Sequence, residues 1–452
     1  MKVLFVRPNI PKETIGLQHV MIVEPLELEI LATLIEKEDD VEIVDLILEK
    51  HPITFFIRKN RPDIVCLTGY ITHSNVIKGL CKEIKEINPQ IVTIVGGVHI
   101  EKLPNCVDCE YVDYRVVRNA VDVFPKLISY LKNDSPFPDC VLKKYETLDE
   151  NRLPAYKFDV PIPNRDLTAK YRERYFYVFH DKVALLKTSF GCPFPCNFCF
   201  CRKITGDGYV ERDLEEVITE LKSIKEKEIY IIDDNFLISE KRVRDFLELL
   251  KTNKIQKRYL IYGRADFIAQ HSDIIKDFKK LGLRTIIVGF ESFNDEELSA
   301  LNKKTLVEIN EKAMKILNSN RVDCYASMIV MPDWNREDFE RTTKKMRKLG
   351  IKFVNVQPLT PLEKTDIPFD ESRLIIPRTE CEKWDLAHVV VRPEKLTVSQ
   401  YYKEILKMYE RVSLNPLNLI HHLKYPVYMQ IKLFRGVLKV RRQYLTTILC
   451  QK

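Results

Sequence analysis

The sequence lacks the features of a membrane-spanning or secreted protein. It contains no run of eighteen apolar residues, and the residues after Met1 do not form a signal-peptide pattern. We therefore expect a cytoplasmic protein, in which thiols stay reduced and the twelve cysteines are poor candidates for disulfides. Metal binding or redox chemistry is the better explanation of so many cysteines.

Acidic residues are absent from the end of the chain. Residues 411–452 contain eight Lys and Arg and no Asp or Glu, whereas the formal net charge of the whole chain is +7. The basic character therefore belongs to this tail, because the charges of the preceding residues nearly balance. The tail also lacks the interleaved aromatic residues on which nucleic-acid bases stack, which argues against a nucleic-acid interface.

The spacing of the tail predicts a cationic amphipathic helix. Six apolar residues recur at near-helical intervals, namely Val427, Ile431, Phe434, Leu438, Leu445 and Ile448. Four cations recur on an adjacent face, namely Lys432, Arg435, Lys439 and Arg442. Such a helix either lies on an anionic membrane surface or docks on the protein with its basic side in water. The sequence leaves both alternatives open.

The first part of the chain has the pattern of an α/β domain. Hydrophobic residues make up 45% of a chain of 452 residues, enough for two or three cores. Short apolar runs (KVLFVRP, VEIVDL, PDIVCLTG and QIVTIVGG) alternate with amphipathic helical patterns. This alternation predicts a doubly wound parallel sheet, which binds its ligand beyond the carboxyl ends of the strands.

A second alternation of strands and helices follows a proline-containing linker. Six runs have strand character, namely VALLKTS, EIYIIDD, RYLIYGR, TIIVGFES, DCYASMIV and FVNVQP. Six βα units are fewer than the eight of a closed barrel, so we predict a partial (β/α)6 barrel. We place the domains at residues 1–135 and 181–370, the linker at 136–180, and a mostly helical C-terminal region at 371–452.

The most informative stretch is TSFGCPFPCNFCFCR, residues 188–202. Cys192, Cys196 and Cys199 have the spacing CxxxCxxC, and Cys201 lies two residues further on. A structural zinc site usually has four ligands in two separated pairs, and no second CxxC follows downstream. Three thiolates on one loop suit a 4Fe-4S cluster whose fourth iron is open to an external ligand. Zinc is the alternative, and we do not expect Cys201 to be a ligand.

A CxxxCxxC motif after the first strand of a partial barrel resembles the radical S-adenosylmethionine (SAM) superfamily. The resemblance implies that Cys192, Cys196 and Cys199 bind the cluster and that SAM chelates the open iron. It also implies a SAM site at the strand ends, formed by Phe198, Asp234, Asn235, Arg264, Glu291 and Ser292. The alternatives are helix N-caps after the second and fourth strands and a surface salt bridge for the arginine. One departure is Val330-Met331-Pro332-Asp333, where many relatives have a glycine-containing turn.

The first domain resembles the cobalamin-binding domain of cobalamin-dependent radical SAM enzymes in EPLELEILATLIE, LTGYITHSN and GGVHIEKLP. The resemblance implies a cobalamin site formed by Thr68, Gly69, Thr72, Gly96, Gly97 and His99. Two features depart from the family. No D-x-H-x-x-G motif supplies a histidine to cobalt. Where many relatives have a turn rich in glycine and glutamate, this chain has Arg118-Asn119-Ala120-Val121, and of these four residues only Asn119 readily takes a positive φ. The alternative is a degenerate domain kept as a scaffold.

Together the resemblances imply a cobalamin-dependent radical SAM methyltransferase that acts on an unactivated carbon through a deoxyadenosyl radical. One alternative is a radical SAM enzyme that catalyses cyclisation or rearrangement without methyl transfer. An alternative of another class is a metal-binding nucleic-acid protein with a basic tail. The implied partners are a small hydrophobic substrate, such as a lipid or tetrapyrrole, an electron donor such as flavodoxin or ferredoxin, and a membrane surface touched by the tail. Cys381, Trp384 and His388 either line the substrate pocket or pack in the core.

Overall fold

The computed structural model describes residues 1–206, 208–413, 421 and 423–450. The chain divides into two compact units. The N-terminal unit consists of Met1–Thr14, Glu24–Arg174 and Thr379–Asp385, and the C-terminal unit of Ile15–Val23, Tyr175–Arg378 and Leu386–Lys452. The domain boundaries expected after residues 135, 180 and 370 stay predictions.

The N-terminal unit is built on a six-stranded sheet. Its strands in chain order are β1 (Lys2–Arg7), β2 (Asp40–Asp45), β3 (Ile64–Thr68), β4 (Val92–Gly96), β5 (Tyr114–Val116) and β6 (Val141–Lys143). The spatial order is β2-β1-β3-β4-β5-β6, and only the last pair is antiparallel. The four sequence runs that predicted parallel strands supply β1 to β4.

Helices cover both faces of this sheet. They are Leu26–Ile35, Ile53–Asn60, Ser74–Ile87, Val98–Lys102 and Ala120–Leu131, with 3-10 turns at Ile71–His73, Pro104–Val107, Glu150–Arg152, Arg165–Arg174 and Cys381–Lys383. Successive residues of β1 point to opposite faces, so that Leu4 and Val6 enter one apolar core and Val3 and Phe5 the other. The two cores confirm the predicted doubly wound α/β fold.

The C-terminal unit contains a second six-stranded sheet, parallel throughout. Its strands are β7 (Ala184–Leu186), β8 (Glu228–Ile231), β9 (Arg258–Gly263), β10 (Leu283–Glu291), β11 (Asp323–Val330) and β12 (Phe353–Pro358), paired in chain order. Five of them lie within predicted runs, and β10 begins two residues before its run, TIIVGFES. There are also two small antiparallel sheets. The first consists of Met21–Ile22, Phe176–Tyr177 and His180–Asp181. The second pairs Ser189–Gly191 with Tyr209–Glu211. The closure of the large sheet into a partial barrel stays a prediction.

Helices follow the strands of the second sheet, as the βα pattern requires. They are Cys201–Ile204, Leu214–Ser223, Glu240–Thr252, Ala265–Gln270, Ser272–Lys280, Asp295–Ala300, Val307–Ser319, Arg336–Lys348, Val398–Ser413 and Val427–Cys450, with 3-10 turns at Leu17–His19 and Glu371–Arg373. Parallel strands joined in this way end at the same edge of the sheet, which brings the loops after β7 to β12 together.

The predicted tail helix is Val427–Cys450. It docks on the C-terminal unit through Met429 and Leu433, which pack with Phe179, and through Tyr444 and Ile448 in the main core. Among the described residues, no helix is both long and apolar enough to cross a bilayer.

The three residues that were candidates for a pocket or for packing are all buried. Cys381 and Trp384 lie in the N-terminal unit and His388 in the C-terminal unit. Their burial favours the packing alternative.

Candidate active site

The cysteine loop begins directly after the short strand Ser189–Gly191. Gly191 has a φ of +79°, and a Cβ at this position would lie 2.2 Å from the carbonyl oxygen of Gly208. Only glycine fits both the left-handed backbone and the available space. The turn into Cys192 therefore depends on this residue.

The three cysteines of the motif have free thiols in partly buried surroundings. Burial, helped by the neighbouring Cys199 and Cys196 as thiolates, raises the pKa of Cys192 to about 11. The three sulfur atoms therefore lie near enough to repel one another when ionised. A hydrogen bond with Cys201 lowers the pKa of Cys199. Cys201 thus interacts with the loop from the start of the next helix, Cys201–Ile204.

The backbone of the loop is braced from outside. Asn197 donates from Nδ2 to the carbonyl oxygen of Ala300 at 2.7 Å. Asn302 donates from Nδ2 to the carbonyl oxygen of Pro195 at 2.6 Å. The N–H of Asp366 donates to the carbonyl oxygen of Asn197 at 2.9 Å. These bonds fix the loop on both sides of Cys196.

Two aspartates after β8 hold the start of the cysteine loop. The buried carboxylate of Asp233 accepts hydrogen bonds from the N–H of Thr188 at 2.6 Å, from its hydroxyl at 2.5 Å and from the hydroxyl of Ser189 at 2.8 Å. Asp234 accepts from the N–H of Gly191 at 3.0 Å. Asp233 is therefore a structural clamp, whereas Asp234 stands closer to the cysteines.

The next residue, Asn235, carries an unsatisfied donor. Its Oδ1 accepts from the N–H of Leu237 at 3.2 Å, but its buried Nδ2 has no hydrogen-bond partner in the described part of the chain. A buried donor without a partner is costly, so this amide is a candidate donor to a ligand. The N-cap alternative fails here, because Ser239 caps the helix Glu240–Thr252.

Arg264, after β9, is buried beside the cysteine loop. It donates from Nε and Nη2 to the carboxylate of Asp266 at 3.0 and 2.8 Å, and from Nη1 to Sγ of Cys196 at 3.7 Å. Its guanidinium carbon lies 3.8 Å from the ring centroid of Phe194. The salt bridge that the sequence left open as an alternative is present, with Asp266, but the arginine is buried and not on the surface. The predicted pairing with the SAM carboxylate stays a prediction, and Nη1 is the group directed at the cysteines.

Glu291 ends β10 with a φ of +62°, which is uncommon for glutamate. Its Oε1 accepts a hydrogen bond from Nζ of Lys303 at 2.8 Å, and both side chains are only 8% exposed. Burial raises the pKa of Cys196, and the positive charge of Lys303 opposes this rise. The same ammonium lies 5.8 Å from the ring centroid of Phe198. The lysine therefore belongs to the site, although sequence reasoning missed it.

Ser292 braces the chain at the next helix. Its hydroxyl donates to the carboxylate of Glu297 and accepts from the N–H of Asn294 at 3.0 Å. Asn294, and not Ser292 or Glu291, caps the helix Asp295–Ala300. The indole N–H of Trp334 donates to the same Glu297 at 2.7 Å. The N-cap alternative for Ser292 is therefore wrong.

The turn after β11 departs from the family pattern, and the C-terminal region covers it. The hydroxyl of Tyr401 donates to the carbonyl oxygen of Met331 at 2.8 Å, and the N–H of Glu394 to that of Pro332 at 2.9 Å. These bonds hold the turn without the glycine that many relatives have there.

In the N-terminal unit, two glycine loops meet at the carboxyl ends of β3 and β4. Gly97 has a φ of +114°, and a Cβ on it would lie 2.8 Å from Oγ1 of Thr68. A Cβ on Gly69 would lie 2.7 Å from Cβ of His73. The hydroxyl of Thr72 lies 3.3 Å from Nδ1 of the same histidine. Of the six residues predicted to bind cobalamin, Thr68 and Gly96 end β3 and β4 and Gly69 and Gly97 follow them directly. Thr72 and His99 lie in the short helical segments that come next.

Two neutral histidines lie at this edge. Burial lowers the pKa of His99 to about 4. Burial and the charge of Arg7 lower the pKa of His73 to about 4. Both imidazoles are therefore uncharged at neutral pH and can offer a nitrogen to a ligand. His73 was not predicted, because its sequence context in ITHSN gives no signal beyond that of an ordinary loop.

The turn at Arg118 and Asn119 takes the predicted shape. Asn119 has a φ of +53°. Its side chain donates to the carbonyl oxygen of Ala155 and accepts from the N–H of Lys157, each at 2.8 Å. The guanidinium of Arg118 lies over the ring of Tyr156 at 4.1 Å. The departure from glycine therefore serves to hold residues 155–157.

Two family models match this chain. The model of the radical SAM superfamily matches residues 186–346, which include the cysteine loop. The model of the B12 binding domain matches residues 14–128, which include both glycine loops and the turn at Asn119. The chain is a radical SAM enzyme with a B12-binding domain.

Curated relatives and solved structures agree with both domains. The hopanoid C-3 methylase of Methylococcus capsulatus is 28% identical over 408 residues, which cover 85% of this chain and 75% of the relative. An anaerobic magnesium-protoporphyrin IX monomethyl ester cyclase of Rubrivivax gelatinosus is 25% identical over 370 residues, covering 78% of this chain and 66% of the relative. The radical SAM methyltransferase TsrM of Kitasatospora setae has the same fold, with a TM-score of 0.67, 15% identity and 99% of each chain covered.

These findings confirm the predicted family, fold class and enzyme class. They also confirm the predicted cofactors of a radical SAM enzyme with a B12-binding domain, namely a 4Fe-4S cluster, SAM and cobalamin. The scaffold-only, zinc and nucleic-acid alternatives are set aside. The roles of individual residues stay predictions.

The residues of the radical SAM domain fit these cofactors. Within the described residues, no three His, Cys, Asp or Glu side chains converge on one point as the ligands of a single ion do. The ligands of a 4Fe-4S cluster bind separate iron atoms, so neighbouring free thiols on a braced loop are the fitting arrangement. The unpartnered Nδ2 of Asn235 fits an acceptor such as SAM provides. In the B12-binding domain the two glycine loops pack closely on their neighbours, and the residues predicted to bind cobalamin lie there.

Proposed function

We propose that this radical SAM enzyme is a cobalamin-dependent methyltransferase that transfers a methyl group to an unactivated carbon of a hydrophobic substrate. The observation that carries the proposal is the presence, on one chain, of a B12-binding domain and a three-cysteine loop at the carboxyl edge of the second sheet. The cofactors supply the methyl group and the radical that activates an inert bond, which ordinary side chains could not supply. The protein holds, orients and shields them.

Each group of residues has a part in holding the cofactors. Cys192, Cys196 and Cys199 are the cluster ligands in this proposal, on a loop whose turn is set by Gly191. Asn235 offers its free amide to SAM, and Glu291, held by Lys303, faces the same edge. Charge-assisted contacts of this kind act most strongly where water is excluded, and the burial of these side chains provides that condition.

The B12-binding domain has a corresponding set. Gly69 and Gly97 let the backbone of both loops approach a flat ligand closely, since neither residue has a Cβ, and Thr68 places its hydroxyl beside Gly97. His99, uncharged at neutral pH, is the candidate nitrogen donor in the absence of a D-x-H-x-x-G histidine. Thr72 and Gly96 complete this edge.

The substrate class is inferred from the relatives. One is named for a hopanoid, a polycyclic lipid, and another for a magnesium porphyrin. We infer that the substrate of this chain is likewise a large apolar molecule, a lipid or a tetrapyrrole. A low-potential electron donor, such as a flavodoxin or a ferredoxin, is needed to reduce the cluster, and peripheral contact with a membrane suits an apolar substrate.

The experiment is anaerobic reconstitution with iron, sulfide and cobalamin, followed by a SAM cleavage assay. We expect about four irons per chain, the absorption spectrum of bound cobalamin, and reductive cleavage of SAM. In Cys196→Ala, cleavage and cluster content should be lost, whereas Cys450→Ala, which removes an exposed cysteine outside the motif, should behave as wild type. Full cleavage activity in Cys196→Ala would contradict the assignment.

Cyclisation without methyl transfer is the second candidate, because a cyclase is among the relatives. Product mass separates the two reactions. A gain of one methyl group, labelled when the SAM methyl carbon is labelled, supports the methyltransferase. A product with no added carbon, formed with the same SAM cleavage, supports the cyclase.

A further inference from the structure

The helix Val427–Cys450 has two apolar faces, of which the described residues of the protein cover only one. The buried face consists of Met429, Leu433, Gly436, Tyr444 and Ile448. Gly436 is essential to this docking, because a Cβ on it would lie 2.1 Å from the carbonyl oxygen of His19. The helix thus lies tightly against the segment that precedes the first small sheet.

The second apolar face points to solvent. It is a stripe of six large side chains, each between 36% and 69% exposed, namely Val427, Ile431, Phe434, Leu438, Leu445 and Leu449. At 100° per residue this stripe is centred roughly 140° around the helix from the buried face. Five of its members are residues that the sequence grouped as the apolar side of the helix, so docking on the protein does not account for them. Exposed apolar stripes of this length mark interaction sites.

Cations border the exposed stripe on one side. Arg435, Lys439 and Arg442 are exposed and follow one another at intervals of four and three residues. Residues 411–452 contain no Asp or Glu. The surface is therefore apolar along its centre and basic along its margin, which is the composition of a helix that lies in a lipid headgroup region.

Charge decides between the two simplest occupants. A symmetric dimer would pair this face with itself and bring the basic margins together, with no acidic residue on the helix to offset them. An anionic lipid surface accepts both parts of the face, since the stripe enters the acyl boundary while the cations stay among the headgroups. We propose that the exposed face of Val427–Cys450 binds the surface of an anionic membrane. This inference does not depend on the proposed methyl transfer.

The test is co-sedimentation of the cofactor-loaded full chain with vesicles of phosphatidylcholine alone or mixed with phosphatidylglycerol. Wild type should bind the mixed vesicles much more strongly than the neutral ones, and high salt should weaken the binding. Each cation near the surface contributes about a fivefold increase in partitioning, so Arg435→Gln/Lys439→Gln/Arg442→Gln should bind roughly a hundredfold more weakly. The control Lys254→Gln/Lys276→Gln/Lys312→Gln makes the same charge change at exposed positions elsewhere and should bind as wild type.

A second variant tests the apolar part. Ile431→Ser/Phe434→Ser/Leu438→Ser should abolish binding while leaving the melting temperature unchanged, because these side chains are exposed. Equal binding of wild type to neutral and anionic vesicles, or none to either, would overturn the proposal. So would a lipid-free dimer that this serine variant converts to monomers. Failure here leaves SAM cleavage and product mass unaffected, so it is distinguishable from failure of the proposed function.

Discussion

The buried pair of Lys303 and Glu291 offers the sharpest test of the site. Both side chains are 8% exposed and their charged atoms lie 2.8 Å apart. The Lys303→Met substitution keeps the apolar stem but removes the ammonium, which leaves Glu291 as an unpaired buried carboxylate in a left-handed backbone conformation. Removing one partner of a buried pair costs about 3–5 kcal/mol.

The thermal shift and the affinity for SAM should both report this loss. A domain of this size loses roughly 2 °C or more of melting temperature per kcal/mol, so the C-terminal unit should melt at least about 5 °C lower. Glu291 would also lose its fixed position, so SAM binding measured by anaerobic equilibrium dialysis should weaken. The double variant Lys303→Met/Glu291→Gln should recover part of the stability, because it leaves no unpaired charge, but it should not recover SAM binding.

Lys304→Met is the matched control, because the adjacent lysine is exposed. It should change neither the melting temperature nor the affinity for SAM. If Lys303→Met is as well tolerated as Lys304→Met in both measurements, the pair is not part of the site and the reasoning is refuted.

Two further predictions concern the cysteine loop and the N-terminal unit. Gly191→Ala should lower the iron content after reconstitution severalfold, because its Cβ would meet the carbonyl oxygen of Gly208 at 2.2 Å. The control Gly79→Ala should keep the wild-type iron content, because its Cβ meets no atom within 4 Å. Equal iron contents in the two variants would contradict this reasoning. Burial, with the nearby Glu24, raises the pKa of Glu29 to about 8. Between about pH 4.5 and 8 the folded protein therefore holds a proton that the unfolded chain has released. The free energy of unfolding should fall by up to about 1.4 kcal/mol per pH unit across this range. In Glu29→Gln the melting temperature should depend much less on pH between about 4.5 and 8, whereas the control Glu38→Gln, at an exposed position, should keep the wild-type dependence. A steep decline in Glu29→Gln would mean that another group titrates in this range.

Local patterns carried most of the fold. The six runs of the second half and the four of the first became strands because continuous apolar segments can be buried on both sides of a parallel sheet. The cysteine motif was equally visible, since its three cysteines lie on one short loop. The residue after Arg118 was also assigned correctly, because asparagine is one of the few residues that take a positive φ readily.

Other parts of the site could not be found in this way. Lys303 stands in a run of polar residues, LNKKT, in which its buried role is indistinguishable from that of the exposed Lys304. Arg264 was open to assignment as a surface residue until its contacts with Asp266 and Cys196 were known. Such roles depend on residues that are tens of positions away along the chain, so no local spacing encodes them.

The sequence by itself determined the order of strands and helices, the cluster loop and the cationic tail helix, because each rests on contacts between near neighbours in the chain. Only the tertiary structure decided which side chains of that helix are covered, which charges are paired within the protein, and which buried donors have no partner among the described residues. Burial is a property of the assembled fold, because the same periodic apolar residues can face a core or solvent. In this one helix, Tyr444 faces the core and Phe434 faces solvent.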